Sequence, residues 1–432
     1  MPPATPLNAD DFANLVKRFA PWPDRFALGV SGGPDSMALA LCAKDWAAKT
    51  GRHLIALIVD HALRPESGQE AETTQQSLLR LAVPAEILRW EHPPVVSRLH
   101  ITARKARYHL LTEACRHHGI TRLLLAHHRE DQAETILMRL AKGSGIDGLV
   151  GIPERSIVNG IEILRPFLTI EKERLIATCI SNQVPFIIDS SNSSPKFARG
   201  RLRRVMPLLT NEGLTIERLI DLGERAAIVK DALEHYTHAF LTQATQRDAS
   251  GALHIDLNKL RAEPRAVGER ALTACLQHLH PQDYAPEHVS LASLYKALLP
   301  DAVMPSRTLH GCIIGTKNKK CTVMREVDSI DIMPIHRGET VLWDRRWRVT
   351  LPDNADEPSC LIKPLGFPQH EILDRLAPGL LRQFPVAQTR ASLPGLWVGN
   401  TLSCIPAFTS EYPARARAVL NSPWPPAMVI ET

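Results

Sequence analysis

The sequence feature that most constrains the fold is the segment 31–36 (SGGPDS), which joins an apolar run at 26–30 to a helical pattern beginning near Met37. A strand, a tight turn and a helix start are therefore predicted. Adjacent glycines let a backbone approach a ligand closely, proline suits a first helical position, and a helix N-terminus attracts anions. The segment indicates a phosphate-binding turn, and a glycine-rich turn that merely joins strand to helix is the alternative.

This turn differs from a Walker-type phosphate loop. Asp35 and Ser36 stand where that motif carries Lys followed by Ser or Thr. Backbone amides and the hydroxyls of Ser31 and Ser36 are therefore the groups that we expect to face an anion.

The first half of the chain alternates strand-like and helical patterns. Apolar runs that read as strands occur at 26–30, 54–59, 86–88 and 123–126, with helical patterns between them. Such alternation predicts crossover units and an α/β fold, with a parallel sheet covered by helices on both faces. Ligands of such sheets bind at the carboxyl ends of the strands.

Polar residues follow the second strand at that end of the predicted sheet. Asp60 and His61 can reach the sugar or base of a nucleotide. Ser67 and Glu70, a few residues later, fit a helix capping box.

A helical pattern over 100–118 carries a basic face. Ala103, Ala106, Leu110 and Ala114 are predicted to form its inner face, whereas Arg104, Arg107, Tyr108 and Leu111 share another. Two arginines beside a tyrosine suit contact with phosphate or a nucleobase. A solvated charged face explains the same pattern equally well.

The fourth strand leads into a helix with two different faces. Ala133, Ile136, Leu137 and Leu140 form its apolar stripe, and His127, Asp131 and Glu134 recur on the opposite side, toward the strand ends. Carboxylates there can hold Mg²⁺ on ATP phosphates, because hard cations prefer oxygen ligands. A zinc site is the weaker alternative, because no cysteine is near.

Two further segments border this predicted cleft. The glycine-rich stretch 142–152 is predicted to be a mobile loop, and the stretch 196–204 carries five basic residues in nine positions. The basic stretch suits an RNA backbone or a pyrophosphate, although a basic helix start is the alternative.

The rest of the chain is predicted to be helical from 214 to about 299, with one long helix at its start, and then to form strands around a lysine-rich turn at 317–320. A boundary is expected within 326–337. In the last part, aromatics and arginines interleave over 343–348, which fits either RNA contact or an ordinary amphipathic strand. The predicted domains are an α/β domain over 1–213, a helical domain with a terminal hairpin over 214–330, and a small mixed or β domain over 331–432.

Composition limits the class of protein. The eight cysteines are scattered without a C-x-x-C pair, so neither a zinc cage nor a disulfide framework is predicted. No apolar run approaches the roughly 18 residues that a membrane span requires. We therefore expect a cytoplasmic protein without a membrane partner, and its charge of +5 leaves nucleic-acid binding to be argued from local clusters.

Read together, these motifs resemble one enzyme family. SGGPDS, DHALRPES, ARKARY, AHHREDQAET, KGSGIDGLVGI, RPF and DSSN followed by RGRLRR occur in the order found in the tRNA(Ile)-lysidine synthetases, over about 26–207. The resemblance implies an adenine nucleotide alpha hydrolase-like fold. It also implies three binding partners besides Mg²⁺: ATP, free L-lysine and isoleucine tRNA with a CAU anticodon.

The same resemblance implies roles for individual residues. Asp60 and His61 lie near the adenosine, and Asp35 and Asp131 hold Mg²⁺. The implied ATP-binding residues of the loop are Ser31, Gly32, Gly33, Pro34, Asp35 and Ser36. The implied catalytic residues are Asp35, Arg104, Arg107, His127, Asp131, Glu134 and Arg201.

The implied reaction has two steps at the wobble cytidine. The carbonyl oxygen on carbon 2 attacks the α-phosphate of ATP and releases pyrophosphate, and the amine of lysine then displaces AMP. Two rival functions are a tRNA thiolase, which the missing C-x-x-C disfavours, and a nucleotide- or RNA-binding module without catalysis.

Overall fold

The computed structural model describes residues 4–92, 99–187, 198–282, 284–301, 303–406 and 416–425. The chain divides into two compact units, Met1–Lys230 and Asp231–Thr432. The segment 189–192 and the start of the basic stretch at 196–197 lie outside the described residues. No helix in the described ranges is long and apolar enough to cross a lipid bilayer.

The first unit alternates strands and helices, as the apolar pattern predicted. Its elements are, in chain order, α1 (Ala9–Lys17), β1 (Arg25–Val30), α2 (Pro34–Thr50), β2 (His53–Asp60), α3 (Ser67–Arg80), β3 (Ala85–Arg89), α4 (Leu99–His117), β4 (Arg122–Leu125), α5 (Arg129–Ala141), α6 (Ile146–Leu149), β5 (Arg155–Val158), β6 (Ile161–Leu164), α7 (Lys172–Ser181), α8 (Ala198–Asn211) and α9 (Ile216–Ala244).

These strands form one sheet in the order β3-β2-β1-β4-β6-β5. Neighbours from β3 to β6 are parallel, and β5 pairs antiparallel with β6. The chain builds outward from β1 to β2 and β3 and then returns to place β4 on the other side of β1. The point between β1 and β4 is therefore the topological switch point, where open α/β sheets bind ligands.

Both faces of this sheet are covered by helices. Phe26 and Leu28 of β1 are buried in a core with residues of α1, α2 and α7, whereas Ala27 between them packs on the opposite side with Leu111 and Cys115 of α4. The alternation follows from the two-residue period of a strand. The predicted α/β sandwich is confirmed.

The buried face of α4 differs from the prediction. Leu111, expected on the arginine face, is only 1% exposed and packs in the core with Ala114 and Cys115. Tyr108 is half-buried against the same core. The side of α4 that carries Tyr108 and Leu111 thus borders the sheet.

The helices α1 and α3 begin in different ways. Asn8 caps α1, because its Oδ1 accepts hydrogen bonds from the amides of Asp10 (2.9 Å) and Asp11 (2.8 Å). The prediction of a capping box formed by Ser67 and Glu70 is wrong. The hydroxyl of Ser67 instead donates to the carbonyl of Arg64 at 2.9 Å, and Glu70 pairs with the guanidinium of Arg64 at 3.1 Å.

The glycine-rich stretch 142–152, predicted as a mobile loop, contains the helical turn α6 and is tied to α5. Arg139 donates to the carbonyls of Gly148 (2.8 Å) and Gly151 (2.7 Å). The side-chain amide of Gln132 donates to the carbonyl of Ile152 at 3.1 Å. Gly151 has φ +86°, and a Cβ there would lie 2.5 Å from the Gln132 side chain.

The second unit begins within α9, at Asp231, and is built mainly from short strands and helices. After the end of α9 its elements are β7 (Thr245–Arg247), β8 (Leu253–Asp256), α10 (Leu257–Ala262), α11 (Arg265–Leu279), α12 (His288–Leu298), β9 (Arg307–Leu309), β10 (Cys312–Lys317), β11 (Lys320–Arg325), a 3-10 turn (Val327–Ser329), β12 (Met333–His336), β13 (Thr340–Trp343), β14 (Trp347–Thr350), β15 (Ser359–Pro364), α13 (His370–Leu376), α14 (Leu380–Gln383), α15 (Ala387–Ala391), β16 (Pro394–Val398), β17 (Thr401–Cys404) and β18 (Arg417–Leu420).

Three antiparallel sheets organise this unit, in the orders β7-β8-β11-β10-β9, β12-β15-β16-β17 and β13-β14-β18. The predicted long helix is α9, and the predicted hairpin places Lys317 opposite Lys320. The continuous helical pattern expected up to 299 is wrong at β7 and β8. Leu253 and Ile255 of β8 are fully buried on either side of His254, which is the two-residue period of a strand.

The aromatics interleaved with arginines over 343–348 belong to a hairpin. Trp343 and Trp347 face each other across β13 and β14 and are buried in the core. Buried indole rings cannot stack on RNA bases, so the amphipathic-strand alternative is the one observed.

Candidate active site

The turn after β1 has the shape of an anion cradle at the start of α2. Gly32 has φ +81°, and a Cβ there would lie 2.3 Å from Oγ1 of Thr74. The hydroxyl of Ser36 donates to the carbonyl of Gly33 (3.0 Å) and accepts from the amide of Ser31 (3.2 Å). Pro34 is the first residue of α2. The turn is thus fixed before any ligand arrives, and first-turn amides of a helix favour an anion.

Asp35 follows in the first turn of α2 and has an unsatisfied oxygen. Its Oδ1 is buried and has no hydrogen-bond partner among the described residues. Its Oδ2 lies 3.6 Å from Nε2 of His128 and 3.9 Å from Nζ of Lys172. Burial raises the pKa of this carboxyl, and the two cations oppose the rise.

His128 connects the turn to α5. It is only 2% exposed, its Nδ1 lies 2.8 Å from Glu130, and its Nε2 lies 3.4 Å from Oδ2 of Asp131. Burial alone would lower the pKa of His128, but the hydrogen bond to Glu130 and the nearby carboxylates raise it. The imidazole of His128 thus lies between the carboxylates of Asp35 and Asp131. Sequence reasoning missed His128 because its neighbour His127 fits the polar face of α5 equally well.

Asp131 and Glu134 lie one turn apart on α5, against two arginines of α8. Arg203 makes a two-pronged ion pair with Glu134, and its Nη2–Oε2 distance is 3.3 Å. Arg199 approaches Asp131 at 3.6 Å and Glu134 at 3.9 Å. Burial would raise the pKa of Asp131, but His128 and Arg199 hold it below its usual value.

The expected basic residue Arg201 lies elsewhere on α8. Arg199 and Arg203 are four residues apart and share one helix face, whereas Arg201 is two residues from each and is exposed. The structure thus places the neighbours of Arg201, and not Arg201 itself, beside the carboxylates of α5. The spacing of four residues in RGRLRR was the available signal.

The helix α4 contributes two further arginines, Arg104 and Arg107. The guanidinium of Arg104 lies 5.0 Å from the ring centre of Tyr108, and Arg107 is half-buried. His127 lies close enough to sense these charges. Burial, together with Arg165, Arg107 and Arg104, lowers the pKa of His127 to about 3, although Asp131 opposes the fall. His127 is therefore neutral near pH 7, and its buried Nδ1 has no partner within the described ranges.

Asp60 and His61 lie at the end of β2 with an aromatic neighbour that the sequence did not reveal. Oδ1 of Asp60 accepts a hydrogen bond from the amide of Ala62 at 2.9 Å. The ring centre of Trp90 lies 3.8 Å from that of His92, with the two rings tilted by 34°, and 6.3 Å from that of His61, which it meets edge-on. Burial and Arg107 lower the pKa of His61. A neutral imidazole beside an indole suits an adenine ring.

The carboxylates suit Mg²⁺ better than they suit a metal that needs a complete protein cage. The described residues contain no group of three or more His, Cys, Asp or Glu side chains arranged to hold a metal ion. Mg²⁺ uses one or two carboxylates, with waters and substrate phosphates as its other ligands. The unpartnered Oδ1 of Asp35, beside the anion cradle, fits that role.

The fold and the site define an α/β nucleotide-binding domain of the PP-loop class, and the family model of the PP-loop domain matches residues 7–209. The tRNA(Ile)-lysidine synthase of Methylobacterium nodulans is 39% identical over 324 residues, which are 72% of this chain and 94% of the relative. That of Wolbachia pipientis is 32% identical and covers 82% of this chain and 83% of the relative. That of Anaplasma marginale is 29% identical over 92% of this chain and 91% of the relative.

The chain belongs to the tRNA(Ile)-lysidine synthase family. The resemblance read from the motifs is thereby confirmed.

Proposed function

We propose that this protein ligates lysine to carbon 2 of the wobble cytidine of isoleucine tRNA with a CAU anticodon, with ATP converted to AMP and pyrophosphate. The observation that carries the proposal is the meeting, at the switch point of the sheet, of an anion cradle after β1 with buried carboxylates and arginines after β4. Family membership supports the choice of reaction.

The cradle binds the phosphates of ATP, and the end of β2 binds its adenosine. The amides of Gly32, Gly33 and Ser36 and the hydroxyl of Ser31 surround the pyrophosphate, and the hydroxyl of Ser36, together with Pro34, fixes the turn. Asp60 and His61 face the sugar and base. Asp35 and Asp131 would hold Mg²⁺, which when bound neutralises phosphate charge.

The first step is attack by the cytidine carbonyl oxygen on the α-phosphate. Negative charge grows on the departing pyrophosphate, and preorganised cations stabilise it without reorganising solvent. Arg104 and Arg107 of α4 supply such charge from one side, and Lys172 and His128 supply it beside Asp35. Arg201, exposed on α8, is assigned to the RNA backbone.

The second step requires a lysine amine without its extra proton. Asp131, whose pKa is lowered, stays ionised and attracts the ammonium, and Glu134 adds negative charge behind it. With a pKa of about 3, His127 is neutral and too weak a base to hold the proton. We therefore assign His127 and Asp131 to hydrogen bonding and orientation of the amine. The proton passes to solvent water, the amine nitrogen bonds to carbon 2, and AMP leaves with the electron pair of the carbon–oxygen bond.

The cysteines argue against sulfur transfer. All eight are free thiols, and seven are buried. Burial raises the pKa of Cys42, Cys115 and Cys179 to about 12, which disfavours the thiolate that sulfur chemistry needs.

We propose the three domains 1–213, 214–330 and 331–432 as catalytic, tRNA-contacting and C-terminal modules, acting together in the cytoplasm, where tRNA is charged. The test is the release of AMP and pyrophosphate with and without tRNA and lysine. Pyrophosphate release should require the tRNA, and AMP release should require lysine in addition. Hydrolysis to ADP, or lysine-independent sulfur transfer, would refute the proposal.

A further inference from the structure

A polar pocket in the second unit has walls of unusual charge. It is lined by three arginines, a histidine, a serine, a glycine and two leucines: Arg247, Arg345, Arg346, His278, Ser422, Gly251, Leu279 and Leu420. We call this the arginine pocket. All of its residues belong to the unit 231–432.

Two of its arginines lack a carboxylate partner. Arg247 donates to the carbonyl of Ser422, and Arg345 donates to the carbonyl of Pro281 at 2.9 Å. Neither forms an ion pair with any described residue. The nearby carboxylate of Asp248 is bound at 2.8 Å by His254. The charges of Arg247 and Arg345 are therefore not balanced by a carboxylate of the described residues.

The third arginine shares its carboxylate. Asp344 lies 2.7 Å from Arg346 and 3.0 Å from Arg325, so one negative charge serves two cations. The excess positive charge acts on the histidine of the pocket. Burial, Arg247 and Arg346 lower the pKa of His278 to about 4. Uncompensated charge in a partly buried site is costly, and an anion would remove that cost.

Backbone geometry keeps the pocket charged and open. Arg345 has φ +54°, a conformation that disfavours side chains and that glycine adopts freely. Gly251 has φ +83°, and a Cβ there would lie 3.8 Å from Nη1 of Arg346 and 3.1 Å from Leu420. At position 345 a long cationic side chain therefore occurs in a backbone conformation that favours glycine. At position 251 the glycine leaves the space beside the buried Arg346 guanidinium without a side chain.

We propose that the arginine pocket binds one phosphate group. Inorganic phosphate and the phosphodiester of RNA share this chemistry. A backbone phosphate of the tRNA is the expected source, and only that choice of source rests on the proposed function.

Three full-length variants test the proposal. Arg345→Gly removes a cation and relaxes the turn, so it should melt at or above the temperature of the parent protein in chloride buffer. Arg247→Gln removes the second cation with little change of shape. Arg375→Gln, on the exposed side of α13, is the control for charge loss alone.

Each variant is melted in chloride and in inorganic phosphate at equal ionic strength, and each is titrated with tRNA at several salt concentrations. The phosphate-induced rise in melting temperature should fall for Arg345→Gly and Arg247→Gln but not for Arg375→Gln. The slope of log affinity against log salt should flatten by about 0.9 for each pocket variant.

The melting experiment in phosphate and the tRNA titration together distinguish free phosphate from an RNA phosphate as the ligand. A lost phosphate effect with an unchanged tRNA slope supports a site for free phosphate, and a flattened slope supports an RNA phosphate. Equal phosphate stabilisation and equal slopes in all four proteins would overturn the proposal. Because the phosphate arm uses no tRNA, this outcome is independent of whether lysidine is formed.

Discussion

The molecule contains two clusters made of the same groups, aspartate and arginine, and they differ in how short their ion pairs are and how deeply they are buried. In the second unit, Asp344 holds Arg325 at 3.0 Å and Arg346 at 2.7 Å, and all three side chains are at most 5% exposed. In the first unit, Asp131 approaches Arg199 only at 3.6 Å, and that arginine is 41% exposed.

The remaining donors and acceptors show the same contrast. Arg325 also donates to the hydroxyl and carbonyl of Ser329 and to the carbonyl of Gly311, so its donors are satisfied. Asp35, by contrast, keeps a buried oxygen without a partner in the described part of the chain. Short ion pairs with satisfied hydrogen-bond donors, as at Arg325, hold a fold together, whereas long ion pairs and a buried oxygen without a partner leave capacity for a substrate.

The contrast predicts the largest loss of stability at Asp344. Asp344→Ala leaves two buried arginines without a counter-charge, and breaking such a cluster costs about 3–5 kcal/mol. Chemical denaturation followed by tryptophan fluorescence measures the change. Asp374→Ala, on the exposed side of α13, is the control and should change the free energy of unfolding by less than about 0.5 kcal/mol. A loss below about 1 kcal/mol in the free energy of unfolding for Asp344→Ala would contradict the claim that this cluster stabilises the fold.

The same contrast predicts the largest loss of activity at Asp131. Asp131→Asn keeps the shape of the side chain but removes the charge that attracts Mg²⁺ and the lysine ammonium. Pyrophosphate release should fall about a hundredfold, which is ~2.7 kcal/mol of activation free energy, with tRNA affinity and melting temperature nearly unchanged.

Glu72→Gln, exposed on α3, serves as the matched control for loss of a carboxylate. If Asp131→Asn retains activity within about threefold of the parent at saturating Mg²⁺, Asp131 is neither a metal ligand nor a catalytic group.

Two arginines of α8 sharpen the comparison within one helix. Arg203→Gln leaves the buried Glu134 without its two-pronged partner, so stability should fall by about 1–3 kcal/mol and turnover should fall with it. Arg201→Gln should raise the KM for tRNA and lower turnover and stability less than Arg203→Gln does, because Arg201 is exposed. Steady-state kinetics with tRNA as the varied substrate, alongside melting curves, separates the two. Identical effects of the two substitutions would contradict the different roles assigned to them.

The smallest effect concerns pH. The pKa of His278 is about 4 in the folded protein and near 6.5 in an unfolded chain. Between these values the unfolded state binds more protons, so the contribution of His278 to stability is lost as the pH falls below about 6.5. Urea denaturation at pH 7 and at pH 5 should show a smaller drop for His278→Gln than for the parent. An unchanged drop would mean that His278 is not held neutral in the fold.

Much of the first unit could be predicted because its signals are local. The period of the apolar residues located β1 to β4 within one or two residues, and the polar face of α5 located Asp131 and Glu134. The exact partners could not be predicted. Whether His127 or His128 bridges two carboxylates depends on the direction in which β4 ends, and Arg199 and Arg203 reach α5 only through tertiary packing.

The second unit was harder to predict for a related reason. The strands β7 and β8 are three and four residues long, so their two-residue period is too short to stand out between helices. The hairpin over 343–348 displays arginines and tryptophans that suggest RNA contact, yet its rings pack inward and Arg346 is bound to Asp344. Composition alone cannot distinguish a paired arginine from an available one.

The central claim is that the incompletely paired cluster of the first unit performs lysine ligation on RNA. The most direct measurement is mass spectrometry of the nucleosides from isoleucine tRNA that has been incubated with the protein, ATP and isotope-labelled lysine. The account predicts that the wobble cytidine carries one labelled lysine and that Asp131→Asn loses this product while remaining folded. An unmodified cytidine, or a sulfur-containing nucleoside without label, would contradict the account.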